Sequence, residues 1–203
     1  MELSDDRLTL SRELSALDHD VIEFTAILGD LDIEYVIVSG YIAILTGRSR
    51  STEDIDIVLE SLPASELDQF ATRLETEGYW GMAMPLDTLS EMLSGGDRLR
   101  VAEDGELYPN FEIWLASNEL EREALSTAIT AEVGGCEVSI SSIELQTAYK
   151  LRLAKGSGTM NGKDFEDALH LYLTFEDDFN TERLESYVTQ LDVEEYYAEL
   201  RRI

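Results

Sequence analysis

Across residues 11–31, Leu14, Leu17, Val21, Phe24, Ile27 and Leu28 recur mostly at steps of three and four, which predicts an amphipathic helix lying on a sheet. The pattern then changes. Residues 35–38 form a short β-branched run, Ser39-Gly40 interrupts it, and residues 41–45 are apolar again. The two runs together are too long for one strand, so the spacing predicts a strand, a tight turn and a helix. After the basic loop 47–52, Ile55, Ile57, Val58 and Leu59 mark a second strand, and Pro63 opens a helix that Gly78 closes.

Farther along, residues 86–93 read as helical, 99–102 as extended and 111–115 as a short aromatic strand following Pro109-Asn110. Gly134-Gly135, between 129–133 and 137–140, predicts a hairpin turn. Beyond it the pattern becomes helical. Ser141 with Glu144 fits a capping box opening a helix over 143–155, Gly156-Ser157-Gly158 reads as a loop, and residues 164–175 and 181–200 supply two or three further helices. The expected fold is therefore α+β: a small mixed sheet flanked by helices over residues 1–140, then a helical C-terminal part, 141–203, packed on that core. There is no low-complexity linker and no internal repeat.

Composition bounds the function. With 203 residues and 44% apolar content the chain can bury one good core. No window is apolar enough to span a bilayer, and the acidic start Met-Glu-Leu-Ser-Asp-Asp is unlike a secretion signal, so the expectation is a soluble, cytoplasmic protein without a membrane partner. The single cysteine, Cys136, lacks metal-ligand spacing and is expected to pack. Charge changes the picture most. Forty-three acidic residues against 15 basic ones give a net of -28, and only Lys150, Lys155 and Lys163 are lysines. In molar salt the Debye length falls to about 3 Å, so such a surface stops repelling itself while staying hydrated. The composition resembles that of halophiles that accumulate salt in the cytoplasm, although an acidic domain docking on a basic partner would share it. In that setting net charge argues only weakly against a nucleic-acid partner.

The candidate chemistry lies in Val38-Ser39-Gly40 and in residues 50–57, Arg-Ser-Thr-Glu-Asp-Ile-Asp-Ile. Residues two apart on a strand share a face, so Asp54 and Asp56 present adjacent carboxylates while Ile55 and Ile57 face a core. Two adjacent carboxylates are tolerated when fully solvated or when a hard cation such as Mg²⁺ bridges them. Asp-x-Asp alone is common in so acidic a chain. Its context adds weight: a glycine turn after a buried strand offers free N–H groups to phosphate, and the 14 residues from Gly40 to Asp54 leave room for one helix returning to the same sheet end. Arg48 and Arg50 read either as phosphate contacts or as partners for nearby acids.

The stretch from Val38 to Ile57 resembles the nucleotidyltransferase superfamily with a polymerase-beta-like palm. Gly40, Ala43 and the run Arg50-x-Thr52-x-Asp54-Ile55-Asp56 are similar to its toxin-type branch, found in abortive-infection and toxin-antitoxin systems. That branch usually carries Gly-Gly or Gly-Ser at the turn, where this chain has Ser39-Gly40. The resemblance implies a third acid on a neighbouring strand, matched by Glu112, which would ligate a metal or act as base; an exposed edge-strand glutamate is the alternative. It also implies a helical lysine and a Lys-Asp motif, matched by Lys150 and by Lys163-Asp164. These form a cationic patch for nucleotide, or simply pair with acids on adjacent helices.

Taken together, the resemblance implies Asp54, Asp56 and Glu112 around Mg²⁺ or Mn²⁺, with Lys150 as a further catalytic residue. Ser39, Gly40, Arg50, Thr52, Lys163 and Asp164 would hold a nucleoside triphosphate. The acceptor would be a tRNA end, a partner protein such as an antitoxin, or another hydroxyl. Two other readings stand beside it: a catalytically silent module of the same fold acting as antitoxin or regulatory subunit, and an antibiotic-modifying transferase with a deep pocket near Glu112. His19 and His170 are expected to be satisfied surface or core histidines, and Tyr187, Tyr196 and Tyr197 to serve core or partner-facing packing.

Overall fold

The structure, a computed structural model, describes residues 1–4 and 6–203; Asp5, part of the acidic N-terminus, lies outside the described residues. Nine strands, Glu2–Ser4 (β1), Arg7–Thr9 (β2), Tyr35–Val38 (β3), Asp54–Leu59 (β4), Tyr79–Gly81 (β5), Leu99–Glu103 (β6), Asn110–Leu115 (β7), Ile129–Val133 (β8) and Cys136–Ile140 (β9), join in one mixed sheet. Their order is β1-β2-β8-β9-β3-β4-β7-β6-β5. The centre is β3-β4-β7, in which β3 runs antiparallel and β7 parallel to β4. The register pairs Val38 with Asp56 and Asp56 with Glu112.

Alternation along these strands sorts side chains between two apolar layers. Ile37, Ile55, Ile57, Phe111 and Ile113 face one layer, closed by Ala16–Asp30 (α1) and Ala64–Thr76 (α3), with Phe24 stacked on Phe111 at 3.9 Å between ring centres. Val36, Val58 and Trp114 face the other, closed by Glu119–Ser126 (α5), Ile143–Ser157 (α6), Lys163–Thr174 (α7), Thr181–Gln190 (α8) and Glu194–Leu200 (α9). Two short helices complete the set: Gly40–Leu45 (α2) follows β3, and Leu89–Ser94 (α4) continues a 3₁₀ turn at Leu86–Thr88. The C-terminal helices thus pack on the sheet face that carries Asp56 and Glu112.

The expected mixed sheet flanked by helices is present, and Gly134 and Gly135, at φ 60° and 84°, make the hairpin turn between β8 and β9. Several local expectations are corrected. The first helix begins at Ala16, because Ser15 and Asp18 form a reciprocal capping box and Asp18 also accepts from Arg12. The capping box expected of Ser141 and Glu144 does not form: Ser142 is the N-cap, and Glu144 accepts instead from the backbone N of Asn180 at 2.9 Å. Gly156 and Ser157 continue α6, and only Gly158, left-handed at φ 67°, ends it. Cys136 is exposed at the hairpin turn rather than packed. Helix α5, missed for want of a long apolar period, is started by a capping box between Asn118 and Glu121.

Candidate active site

Ser39 ends β3 and leads into α2 with φ 66° and ψ -128°, a region in which a residue with a Cβ is strained. Its backbone is braced from α6. The Gln146 side chain accepts from Ser39 N at 3.0 Å and donates to Ser39 O at 2.9 Å. The Ser39 hydroxyl accepts from Lys150 Nζ at 3.4 Å and lies close enough to Asp56 to favour its ionised form. Gly40 follows because the space is taken: a Cβ there would stand 3.1 Å from both Arg50 Nη2 and Thr52 Oγ1. Thr52 in turn donates to the Asp54 backbone O at 2.9 Å.

Asp56 and Glu112 sit side by side, Glu112 on an interior strand rather than at a sheet edge. Burial, and next the charge of Glu112, push the Asp56 carboxyl up to about 6, with a smaller push from Asp54. Asp54 shares their face but lies 3.9 Å from Arg100 Nη2, and Arg100 also pairs with Glu112 at 3.3 Å. Arg98 stacks on Trp114 at 3.9 Å and reaches Glu112 at 3.8 Å and Glu121 at 3.7 Å.

The all-oxygen donor set of Asp56 and Glu112 suits a hard divalent cation, and burial, then the neighbouring Glu112 charge, makes the ionised form of Asp56 costly without a cation beside it. Among the described residues no group of three or more carboxylate, imidazole or thiolate side chains is arranged to hold a metal ion, and Arg100 lies against both Asp54 and Glu112. Two of the three expected ligands are therefore brought together, and the third stands next to them on the same face.

On the other side of the Ser39 turn lies a group of cations. The Asp167 carboxylate, fully buried on α7, meets Arg50 Nη1 at 2.5 Å, Lys150 Nζ at 2.9 Å and Arg48. Lys150 also meets Asp164 at 2.9 Å, and Arg48 donates to Lys163 O at 3.0 Å and meets Glu166 at 2.5 Å. Burial lowers the proton affinity of Lys150, opposed by its Asp164 partner; burial and then Arg48 lower that of Arg50. Lys163 opens α7 beside this group, whereas Lys155 lies apart and pairs with Asp192 at 2.6 Å. His170 contacts Thr46, and Tyr187 and Tyr197 are buried in the helical layer.

A cavity of about 850 Å³ opens where Ser39 and Asp56 meet and runs away from the cations between the sheet and helices α5, α6 and α8. Val58, Trp114, Leu145 and Tyr149 give it apolar walls, and Arg98 and Arg152 add charge.

Four residues of this arrangement escaped the sequence: Arg98, Arg100, Gln146 and Asp167. Arg98 and Arg100 carried a signal, two scarce bases at strand spacing. Asp167 also had one, a single helical turn after Asp164. Gln146 had none, because only the fold brings α6 to the turn.

No protein-family model matches the chain, and no curated protein is recognisably similar in sequence. Solved structures are similar in fold. An antigenic nucleotidyltransferase-like protein from Paracoccidioides brasiliensis superposes with a TM-score of 0.57 at 18% identity, covering 93% of this chain and 94% of that one. The crystal structure of ANT(2'')-Ia in complex with adenylyl-2''-tobramycin gives a TM-score of 0.57 at 15% identity, covering 88% of this chain and 98% of that one. The solution structure of the same antibiotic-resistance factor gives 0.54 at 16%, covering 92% and 94%. At these identities the likeness establishes the fold: this chain has a nucleotidyltransferase fold.

Proposed function

We propose that the protein transfers a nucleotide from a nucleoside triphosphate to a hydroxyl acceptor, with Mg²⁺ or Mn²⁺ as the metal. One observation carries the reading: Asp56, which lines the cavity beside the Ser39 turn, is paired across β4 and β7 with Glu112. Asp54, Asp56 and Glu112 would hold the metal, which when bound neutralises charge on phosphate oxygens. Arg48, Arg50, Lys150 and Lys163 lie on one side of Asp56 and attract the triphosphate, while the Ser39-Gly40 turn seats it. The cavity lies on the other side and takes the acceptor. Alternatively, Glu112 leaves the metal to the two aspartates and accepts the proton of the acceptor hydroxyl as base. Catalysis is then mainly positioning and charge neutralisation.

For the acceptor, a cavity of about 850 Å³ supports a small organic molecule, within the few hundred to about 1,000 Å³ usual for such ligands. ANT(2'')-Ia, which shares the fold, is seen with an adenylylated antibiotic. A tRNA end or an antitoxin-like partner in a salt-filled cytoplasm is the macromolecular form of the same reaction, with the chain as a toxin. A second reading, a silent module, draws on a specific observation: Arg100 lies against Asp54 and Glu112, and Asp164 and Asp167 engage the cations.

The test is incubation in about 2 M KCl, chosen for the acidity of the chain, with Mg²⁺, each labelled nucleoside triphosphate, and separate pools of RNA, protein and small hydroxylated compounds. Label on one pool that disappears with Asp54→Ala establishes transfer and acceptor class together. No label from any triphosphate, with the protein folded, favours the silent module.

A further inference from the structure

We infer that Asp167 is a positioning residue that sets the cations beside the Ser39-Gly40 turn; the inference rests on the nucleotidyl-transfer reading. Its carboxylate has no solvent exposure, yet it joins three elements: the loop after α2 through Arg48 and Arg50, α6 through Lys150, and α7, which bears it. Arg50, fixed at 2.5 Å, lies against Gly40, where it occupies the room a side chain would take. Lys150, fixed at 2.9 Å from the same oxygen, stands 3.4 Å from Ser39 Oγ. One buried anion therefore places two cations against the two residues of the turn, Arg50 at Gly40 and Lys150 at Ser39.

The physical need for such a residue follows from the charge of the chain. Arginine and lysine side chains are long, and with 43 acids against 15 bases an untethered guanidinium finds a competing carboxylate in most directions. The side chains of Arg48 and Arg50 are 16% and 15% exposed, near enough to the surface to swing away. A buried carboxylate holds them against that competition, so a triphosphate meets an array already oriented. Lys150, nearly fully buried, is held between two carboxylates, Asp164 and Asp167, each at 2.9 Å, which offset the cost of burying its charge.

The experiment is calorimetric titration of the whole chain with Mg²⁺ plus each of the four nucleoside triphosphates, and with inorganic tripolyphosphate. It is run below the melting temperature of every variant. Wild type is compared with Asp167→Asn, which keeps shape and removes charge, with Asp167→Glu, which keeps charge and displaces it, and with Arg50→Gln alone and combined with each. Positioning predicts that both Asp167 variants weaken binding roughly tenfold or more, the order of effect a small misplacement produces. It also predicts a smaller further loss in the Arg50→Gln background than in wild type, because part of the effect of Asp167 runs through that side chain and the rest through Lys150 and Arg48. If Asp167→Asn does not fold, Asp167→Glu and its cycle with Arg50→Gln decide the matter. Unchanged affinity in variants that only melt lower makes Asp167 purely structural and overturns the inference. Tighter binding by Asp167→Asn makes it a competitor of phosphate and also overturns it. Wild type that binds no triphosphate and no tripolyphosphate removes the transfer reading itself, a failure visible before any variant is compared.

Discussion

Asp56 on β4 lies directly opposite Glu112 on the parallel strand β7, and this pairing, with burial, holds the Asp56 carboxyl near 6 rather than at the ordinary aspartate value. A carboxyl whose pKa rises on folding binds its proton more tightly in the native state. Its contribution to stability is fully present below the unfolded value of about 3.9 and is lost as pH rises through about 6. At about 1.4 kcal/mol per unit, ionised Asp56 costs folding on the order of 3 kcal/mol. Urea unfolding of Asp56→Asn should therefore exceed wild type by about 2–3 kcal/mol at pH 7.5 and converge with it near pH 4. An equal advantage at both pH values would show that the gain has another source.

The same proton competes with a cation. Mg²⁺ affinity, measured by calorimetry without nucleotide, should be steady above pH 7 and fall about tenfold per unit below pH 6. In Glu112→Gln the fall should move to lower pH, because the second-largest cause of the Asp56 shift has been removed. A profile that is flat from pH 5 to 8 would place the metal elsewhere.

Ser39 adopts a backbone conformation natural to glycine, at φ 66°. Ser39→Ala and Ser39→Gly both delete the hydroxyl, so their difference isolates the backbone. Ser39→Gly should be the more stable by about 1 kcal/mol, the strain relieved less the extra chain entropy of glycine. Equal stability, or a better alanine, would mean the turn is not strained.

Gln146 both accepts from and donates to the backbone of Ser39. Gln146→Ala leaves two polar groups without partners and should cost about 1–3 kcal/mol. Gln146→Glu keeps the acceptor but turns an oxygen toward Ser39 O, and should be no better. Thermal melts of the two variants beside wild type check this; a loss only in the alanine variant would show that the contact with Ser39 O is dispensable.

A net of -28 makes stability depend on salt. Raising KCl from 0.1 to 2 M should add about 2 kcal/mol or more and lift the melting temperature by roughly 4–8 °C, as self-repulsion is screened. Sorbitol at matched osmolality should give a smaller rise, separating screening from exclusion of cosolvent.

Local order was legible where one residue or one period controlled it. Hydrophobic steps gave α1, Pro63 and Gly78 bracketed α3, β-branched runs gave β3 and β4, and Gly134-Gly135 gave a hairpin because only glycine takes two positive φ values easily. Alternation also put Asp54 and Asp56 on one face. Helix and strand ends were less legible, since they turned on side-chain competition: Asp18 chose Arg12 and Ser15, and Glu144 chose Asn180 over a cap.

The sequence by itself determined the α+β pattern, the Ser39-Gly40 turn, the two aspartates in phase and the extreme negative charge, because each of these is set within a few residues of chain. Only the tertiary structure decided that Glu112 is the partner of Asp56, that Arg100 lies against Asp54, that Gln146 braces Ser39, and that Asp167 joins Arg48, Arg50 and Lys150. Those contacts join residues 46 to 119 positions apart in most cases, as with Asp54 and Arg100 or Arg48 and Asp167. Short-range periodicity carries no record of such partners, which are selected by strand order and by where the helices dock.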